Sequence, residues 1–295
     1  MRVLVTLDGT VADPDRPLLH ADDLGVLRGD GVFETLLVTG GRPRKLTAHL
    51  ERLARSAAMA GLPAPDAEAW RRCVGVACRA WRLPTEMALK LVLTRGRYDG
   101  LGDVTGYALG FPVPEVTLRQ RRDGLSVLTL DRGYPAGFGE RAPWLLIGAK
   151  TLSYATNMAA VRYAQKHGAD DAVYVSSDGW VLEGPTASVV VADGRDLRTP
   201  PACAGLLPGT TQQELFRAAE RAGWSAKSGP LRVPDLHTAD GLWLISSVRQ
   251  LAAVHRVDGT PRPVRADLDA ELRALLSPEP AELADPVDPT ELAEG

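Results

Sequence analysis

The stretch Ala142-Pro-Trp-Leu-Leu-Ile-Gly-Ala-Lys150 ends an apolar run on a lysine, just ahead of a helical pattern from about Tyr154 to His167. A desolvated lysine has its pKa lowered and becomes a usable amine nucleophile or base. A lysine that snorkels its amine to the surface produces the same pattern, so two segments further along the chain decide between them. Trp180-Val-Leu-Glu183-Gly-Pro-Thr-Ala-Ser188 sets a carboxylate among apolar strand residues. Such a group needs a cation for a partner, unless it faces solvent ahead of the turn. Gly205-Leu-Leu-Pro-Gly-Thr-Thr-Gln-Gln-Glu214 is a Gly/Pro loop opening a helix, with Thr211 and Glu214 spaced as a capping box. The free N–H groups of such a helix start are a natural phosphate seat.

On either side of these segments the pattern alternates strand and helix. Arg2 to Leu7, Gly31 to Val38 and Met87 to Arg95 read as strands. Lys45 to Ala60 and Asp66 to Trp81 carry helical spacing. These make an N-terminal α/β unit of roughly 110 residues, a usual domain size. Phe111-Pro-Val-Pro114 reads as a linker. Beyond it, strands are expected at Leu125 to Leu130, Asp171 to Ser176, Trp180 to Glu183, Ser188 to Ala192 and Gly241 to Ser247. Ser177-Asp-Gly179 is a hairpin turn, and a helix runs from Gly209 to Ala222. The expected domains are 1–115, 116–276 and an acidic, Pro-containing tail at 277–295 that reads as disordered.

Composition excludes several classes. A chain of 295 residues with 45% hydrophobic residues exceeds what one core usually holds, so two domains are expected. Net charge is −3, which offers no field for nucleic acid or a membrane surface. Cys73, Cys78 and Cys203 form no CxxC pair, and the histidines show no HExxH spacing, so no metal site is expected. No apolar run approaches the ~20 residues of a membrane span, and the N-terminus is no signal peptide. A reduced, cytoplasmic setting is the expectation. Gly29-Asp-Gly31-Val-Phe-Glu34 begins like a dinucleotide loop, but Glu34 takes the third glycine's place.

The lysine, the carboxylate and the loop occur in the order found in the class IV aminotransferases, and the chain resembles that family over about residues 1–260. The resemblance implies an α+β, two-domain fold type IV enzyme with pyridoxal 5'-phosphate, a small N-terminal α/β domain and a larger C-terminal pseudo-barrel domain. It implies that Lys150 is the Schiff-base lysine and that Glu183 faces the pyridine nitrogen, keeping the ring an electron sink. Arg52, in His49-Leu-Glu-Arg52-Leu, corresponds to the arginine that grips the cofactor phosphate. Thr210, Thr211 and Ser247 complete the phosphate site. Tyr154 follows the lysine by four positions, whereas branched-chain aminotransferases place a tyrosine five positions on.

The same resemblance leaves two reactions. One is the aminodeoxychorismate lyase reaction, which frees pyruvate from 4-amino-4-deoxychorismate and leaves 4-aminobenzoate for folate synthesis. The other is D-amino-acid or branched-chain amino transfer. Arg28-Gly-Asp-Gly-Val-Phe-Glu-Thr35, Leu93-Thr-Arg-Gly96 and Leu244-Ile-Ser-Ser-Val-Arg249 resemble the lyase branch more. Either substrate carries carboxylates, for which Arg95, Arg97 and Arg249 are candidate anchors. The family's habit also implies a homodimer. A binding protein without chemistry is the alternative from another class, and the presence of Lys150 weighs against it.

Overall fold

The computed structural model describes residues 1–98 and 104–276. The tail expected at 277–295 lies outside the described residues. Two compact units emerge. Among the described residues, the first holds Met1–Val113 with Ala149–Ser153, and the second holds Pro114–Gly148 with residues 154–276. Sequence pattern alone divides the chain after residue 115 and counts 149–153 with the second part.

The first unit comprises β1 (Val3–Thr6), β2 (Val11–Ala12), α1 (Leu24–Arg28), β3 (Gly31–Thr39), β4 (Arg42–Pro43), α2 (Leu46–Met59), α3 (Ala67–Ala80), β5 (Met87–Thr94) and β6 (Thr105–Pro112). Its six strands lie in the order β2-β1-β6-β5-β3-β4. Alternation along the strands decides which side is covered. Val32, Leu36, Leu89, Leu91 and Ala108 point to one side and form a single core with Leu50, Leu53, Trp70 and Val74 of α2 and α3. Asp66 starts α3 by accepting from the N–H groups of Glu68 and Ala69.

β6 corrects the expectation of a linker from Phe111. Thr-Gly-Tyr-Ala-Leu-Gly-Phe-Pro carries two glycines and a proline, all poor strand residues. The strand forms because tertiary pairing outweighs propensity: Gly110 lies where a Cβ would meet the Met87 sulfur at 2.3 Å. Pro112 sits at the strand's last position.

The second unit comprises α4 (Glu115–Asp123), β7 (Leu125–Asp131), α5 (Ala155–Lys166), β8 (Asp171–Val175), β9 (Ser188–Asp193), β10 (Asp196–Thr199), α6 (Thr210–Arg221), β11 (Ser225–Ser228), α7 (Val233–Thr238), β12 (Gly241–Ser246), β13 (Gln250–Val257), β14 (Thr260–Pro261) and α8 (Ala266–Leu276). The sheet runs β11-β10-β9-β12-β13-β7-β8, with β14 paired to β13. Its central strands are buried on both faces. Val189, Val191, Leu242 and Leu244 enter one core, while Val190, Ala192, Trp243 and Ile245 enter another with α6 and α8. The hairpin turn at Ser177-Asp-Gly179 is present, with Gly179 at φ 85° where a side chain is disfavoured. No helix among the described residues is long and apolar enough to cross a membrane.

Leu53 is wholly buried between α2 and the six-stranded sheet. Leu53→Ala is expected to destabilise the protein by about 2–5 kcal/mol, read from urea unfolding. A loss below about 1 kcal/mol would show that α2 does not close this core.

Candidate active site

In the first unit the site is built on the edge of β3. The chain at 150–152 runs beside it as a short extra strand. The Phe33 N–H donates to the Lys150 carbonyl at 2.9 Å, and the Leu152 N–H donates to the Gly31 carbonyl at 2.8 Å. The Lys150 N–H donates to the Ser56 hydroxyl of α2 at 3.0 Å. Residues 150–152 are therefore fixed by three hydrogen bonds, two between backbones and one to a side chain, rather than carried on a free loop. Its Nζ stands 4.5 Å from the centre of the Phe33 ring. Gly31 is required by this close approach, because a Cβ there would meet the Leu93 carbonyl at 2.6 Å and the Leu152 side chain at 2.7 Å. The glycines that mimic a dinucleotide loop serve instead to let the lysine segment pass.

Behind the strand lies a charged cluster. Glu34 is fully buried and points toward α2. Arg52 presents its Nε and Nη2 to the two carboxylate oxygens at 2.6 and 2.8 Å, and His49 Nδ1 lies 2.7 Å from Oε2. Burial alone would raise the Glu34 carboxyl. Arg52 and His49 outweigh it and hold the group well below the usual carboxylate range. Burial pushes His49 below its ordinary 6.5, against the pull of Glu34. Sequence reasoning misses Glu34 and His49 as functional residues. The available signal was one acid at an inward position of an otherwise apolar strand.

In the second unit Glu183 lies on the arm after the hairpin turn, where its carbonyl accepts from the Tyr174 N–H at 2.8 Å. Its carboxylate is mostly buried. Arg132 Nη1 stands 3.5 Å from one oxygen, and the Leu207 N–H donates to the other at 3.3 Å. The Arg132 guanidinium also lies over the Tyr174 ring, 4.6 Å from its centre. The Tyr174 hydroxyl is buried with no hydrogen-bond partner among the described residues. Sequence reasoning misses Arg132 as well.

Thr210 and Thr211 are the first two residues of α6, and both are buried. The expected capping box is absent. Gly209 is the N-cap and no side chain caps the helix, so Thr211 already lies inside the first turn. A Cβ on Gly209 would meet the Ser188 hydroxyl at 2.3 Å, so a larger residue there would require Ser188 to move. A cavity of about 280 Å³ opens beside this loop, with Glu183, Ser188, Leu207, Gly209 and Gln212 in its wall. Ser247 follows β12 in the turn to β13.

The three candidate anchors differ. Arg95 gives Nε and Nη2 to Asp30 and reaches the Ala60 and Gly61 carbonyls, fastening the end of α2. Arg249 donates to the buried Asp171 at 2.6 Å, while its Nη1 is buried without a partner among the described residues. Arg97 pairs with Asp22 at 3.1 Å in a half-exposed position. Tyr154 donates its hydroxyl to the Pro185 carbonyl at 3.0 Å, which braces the loop after Glu183. Among the described residues no cluster of His, Cys, Asp and Glu could hold a metal ion.

Known proteins share this arrangement of elements. A family model described as amino-transferase class IV matches residues 31–257. A bifunctional aminodeoxychorismate lyase / D-amino acid transaminase from Mycobacterium tuberculosis is 49% identical over 281 residues, covering 92% of this chain and 97% of the relative. A hypothetical aminotransferase from Mycobacterium tuberculosis, solved in its PLP-bound form, superposes with a TM-score of 0.92 at 46% identity, covering 96% of this chain and 99% of that one. A fold IV-transaminase from Curtobacterium pusillum gives 0.88 at 43% identity, covering 93% and 97%.

The buried cluster makes stability depend on pH. His49 has a folded pKa below its ordinary value, so the unfolded chain takes up the proton first as pH falls through about 6.5. Stability is expected to drop between about pH 7.5 and 5.5 in urea unfolding, and His49→Gln should flatten that slope. Unchanged slopes in wild type and variant would contradict the assignment. Glu34 contributes above the ordinary carboxylate range, and its share is lost only in stronger acid.

Proposed function

The chain belongs to the amino-transferase class IV family and is a pyridoxal-phosphate enzyme; from that premise we propose that it releases pyruvate from 4-amino-4-deoxychorismate, leaving 4-aminobenzoate. The observation that carries this reading is the near full-length likeness to the bifunctional relative, whose name includes the lyase activity. That name also includes D-amino acid transfer, which is the second reading. A branched-chain reaction is less favoured. Tyr154 follows Lys150 by four residues, and its hydroxyl is given to the Pro185 carbonyl.

The donors present suit the cofactor. A helix start without a side-chain cap, with a glycine packed close to Ser188 at its N-cap, offers N–H groups to a phosphate. A largely buried carboxylate suits a protonated pyridine nitrogen. When bound, pyridoxal phosphate supplies an aldehyde that takes up the substrate amine and a ring that accepts the electrons left at the neighbouring carbon. In this proposal the Lys150 amine would hold the cofactor and would serve as the base that moves the proton at the substrate carbon bearing the amine.

Glu183 keeps the ring nitrogen protonated, and Arg132 and the Leu207 N–H keep that carboxylate in one orientation. The Thr210 and Thr211 N–H groups, Ser247 and Arg52 hold the phosphate. Glu34 fixes the guanidinium of Arg52 before any ligand arrives. Arg95, Arg97 and Arg249, each paired with an aspartate (Asp30, Asp22 and Asp171), are the proposed anchors for a substrate carboxylate. A homodimer in the cytoplasm, and the assignment of the ring and phosphate contacts other than Arg52 to the second domain, complete the proposal.

Purified holoenzyme is expected to release pyruvate from aminodeoxychorismate. Brisk amino transfer from D-alanine or L-leucine with negligible pyruvate formation would overturn the lyase reading. Lys150→Ala should lower turnover by at least about 1,000-fold and remove the cofactor's near-visible absorbance band while the circular dichroism stays native. Glu183→Gln should lower kcat more than cofactor affinity. A variant at position 150 that keeps its activity would refute the assignment.

A further inference from the structure

The hairpin that joins β12 to β13 is closed by three residues, Ser247-Val248-Arg249, between the paired strand ends Ser246 and Gln250. It carries Ser247, one of the groups proposed to hold the cofactor phosphate. Gln250 follows the turn at φ 58°, in the left-handed region where glycine is the undemanding choice. A glutamine is strained there unless its side chain gives something back. Its amide does so by donating to the Ser247 carbonyl.

The next carbonyl along the turn is held from outside. Arg121, in the last turn of α4, donates from Nε and Nη2 to the Val248 carbonyl, the first at 3.0 Å. The residue after it is held as well. The Arg249 N–H donates to the Ser246 hydroxyl at 3.3 Å, and the Arg249 guanidinium donates to the buried Asp171 at 2.6 Å. A peptide group is planar, so fixing a carbonyl also fixes the N–H across the same bond. With the Ser247 and Val248 carbonyls both held, the backbone that bears the Ser247 hydroxyl is held in one orientation.

The neighbouring Arg122 pairs with Asp123 at the surface, the ordinary use of an exposed arginine. Arg121 instead spends its fork on one neutral carbonyl. A staple that only joins α4 to the sheet would explain that contact. It would not explain why two consecutive carbonyls, at Ser247 and just after it, are each taken by a separate side chain. We propose that Arg121 is a positioning residue of the phosphate site, its guanidinium holding the Val248 carbonyl so that the turn presents Ser247 to the cofactor phosphate before the cofactor arrives. The proposal rests on the assignment of Ser247 to that phosphate. Without the guanidinium the turn gains freedom, and a ligand that bonds Ser247 must order it on binding.

The full chain, freed of cofactor, is titrated with pyridoxal phosphate and with pyridoxal, which lacks the phosphate, and binding is read from the near-visible absorbance band. Arg121→Met should bind pyridoxal phosphate more weakly than wild type by about 10-fold or more, with Arg121→Lys between the two. Pyridoxal should bind all three within about twofold. Arg122→Met should match wild type for both compounds. Circular dichroism of the variants should stay native; if Arg121→Met unfolds, Arg121→Gln takes its place with the same expected split. Equal affinity for pyridoxal phosphate in wild type and the neutral variant, or an equal loss for pyridoxal, would overturn the proposal. Ser247→Ala tests the underlying reading separately. Wild-type affinity for pyridoxal phosphate in Ser247→Ala would defeat the assignment of Ser247 to the phosphate. A selective loss in Ser247→Ala with none in Arg121→Met would defeat the role of Arg121 alone.

Discussion

The position of one short segment, residues 150–152, governs everything else claimed for this chain. It is held against β3 by the Phe33–Lys150 and Gly31–Leu152 backbone bonds and against α2 by Ser56. A lysine that must act at one atom gains little from reactivity if its backbone wanders, since misplacement of about 1 Å can cost about 100-fold in rate. Here the backbone is tied into a sheet edge, and the freedom that remains lies in the side chain. The glycine at position 31 is what allows the segment to approach so closely.

The cluster behind the strand serves the same rigidity from the other face. Glu34 is fully buried, a situation that costs several kcal/mol unless its oxygens are satisfied. Two bonds from Arg52 and one from His49 satisfy them, and all three partners are locked to one another as a result. Removing one member of such a set typically costs about 3–5 kcal/mol, because a buried charge is left alone. His49, Arg52 and Ser56 recur at helical spacing along one side of α2. That single face therefore orients an arginine and steadies a lysine. In the second unit Arg132 and the Leu207 N–H do for Glu183 what Arg52 and His49 do for Glu34. The carboxylate there is less deeply buried and its bonds are longer. That suits a group proposed to bond a cofactor.

Much of this is legible in the sequence wherever pattern and local chemistry agree. β3, α2, α3 and β5 announce themselves by apolar spacing, and Asp66 and Gly179 mark a cap and a turn that the structure contains. β6 is hidden because its glycines argue against a strand, and only the bulk of Met87 across the sheet explains Gly110. The capping box at Thr211 and Glu214 fits the rule by spacing but not by position, since the N-cap is Gly209, two residues earlier. Arg95 shows what a reading of arginines from sequence leaves out. Nothing local reveals that its fork is committed to Asp30 and the end of α2. The role of Glu34 is invisible for the same reason: its partners lie 15 and 18 residues away on a helix.

The identity of the amine that binds the cofactor is the decisive point. The chain has only five lysines, Lys45, Lys90, Lys150, Lys166 and Lys227, so the choice can be read directly. Borohydride reduction of the holoenzyme, followed by digestion and peptide mass spectrometry, fixes the cofactor to the lysine that holds it. A single pyridoxyl adduct on the peptide containing Lys150 is the expected result. An adduct on Lys90 or any other lysine, or a holoenzyme that yields none, would contradict it.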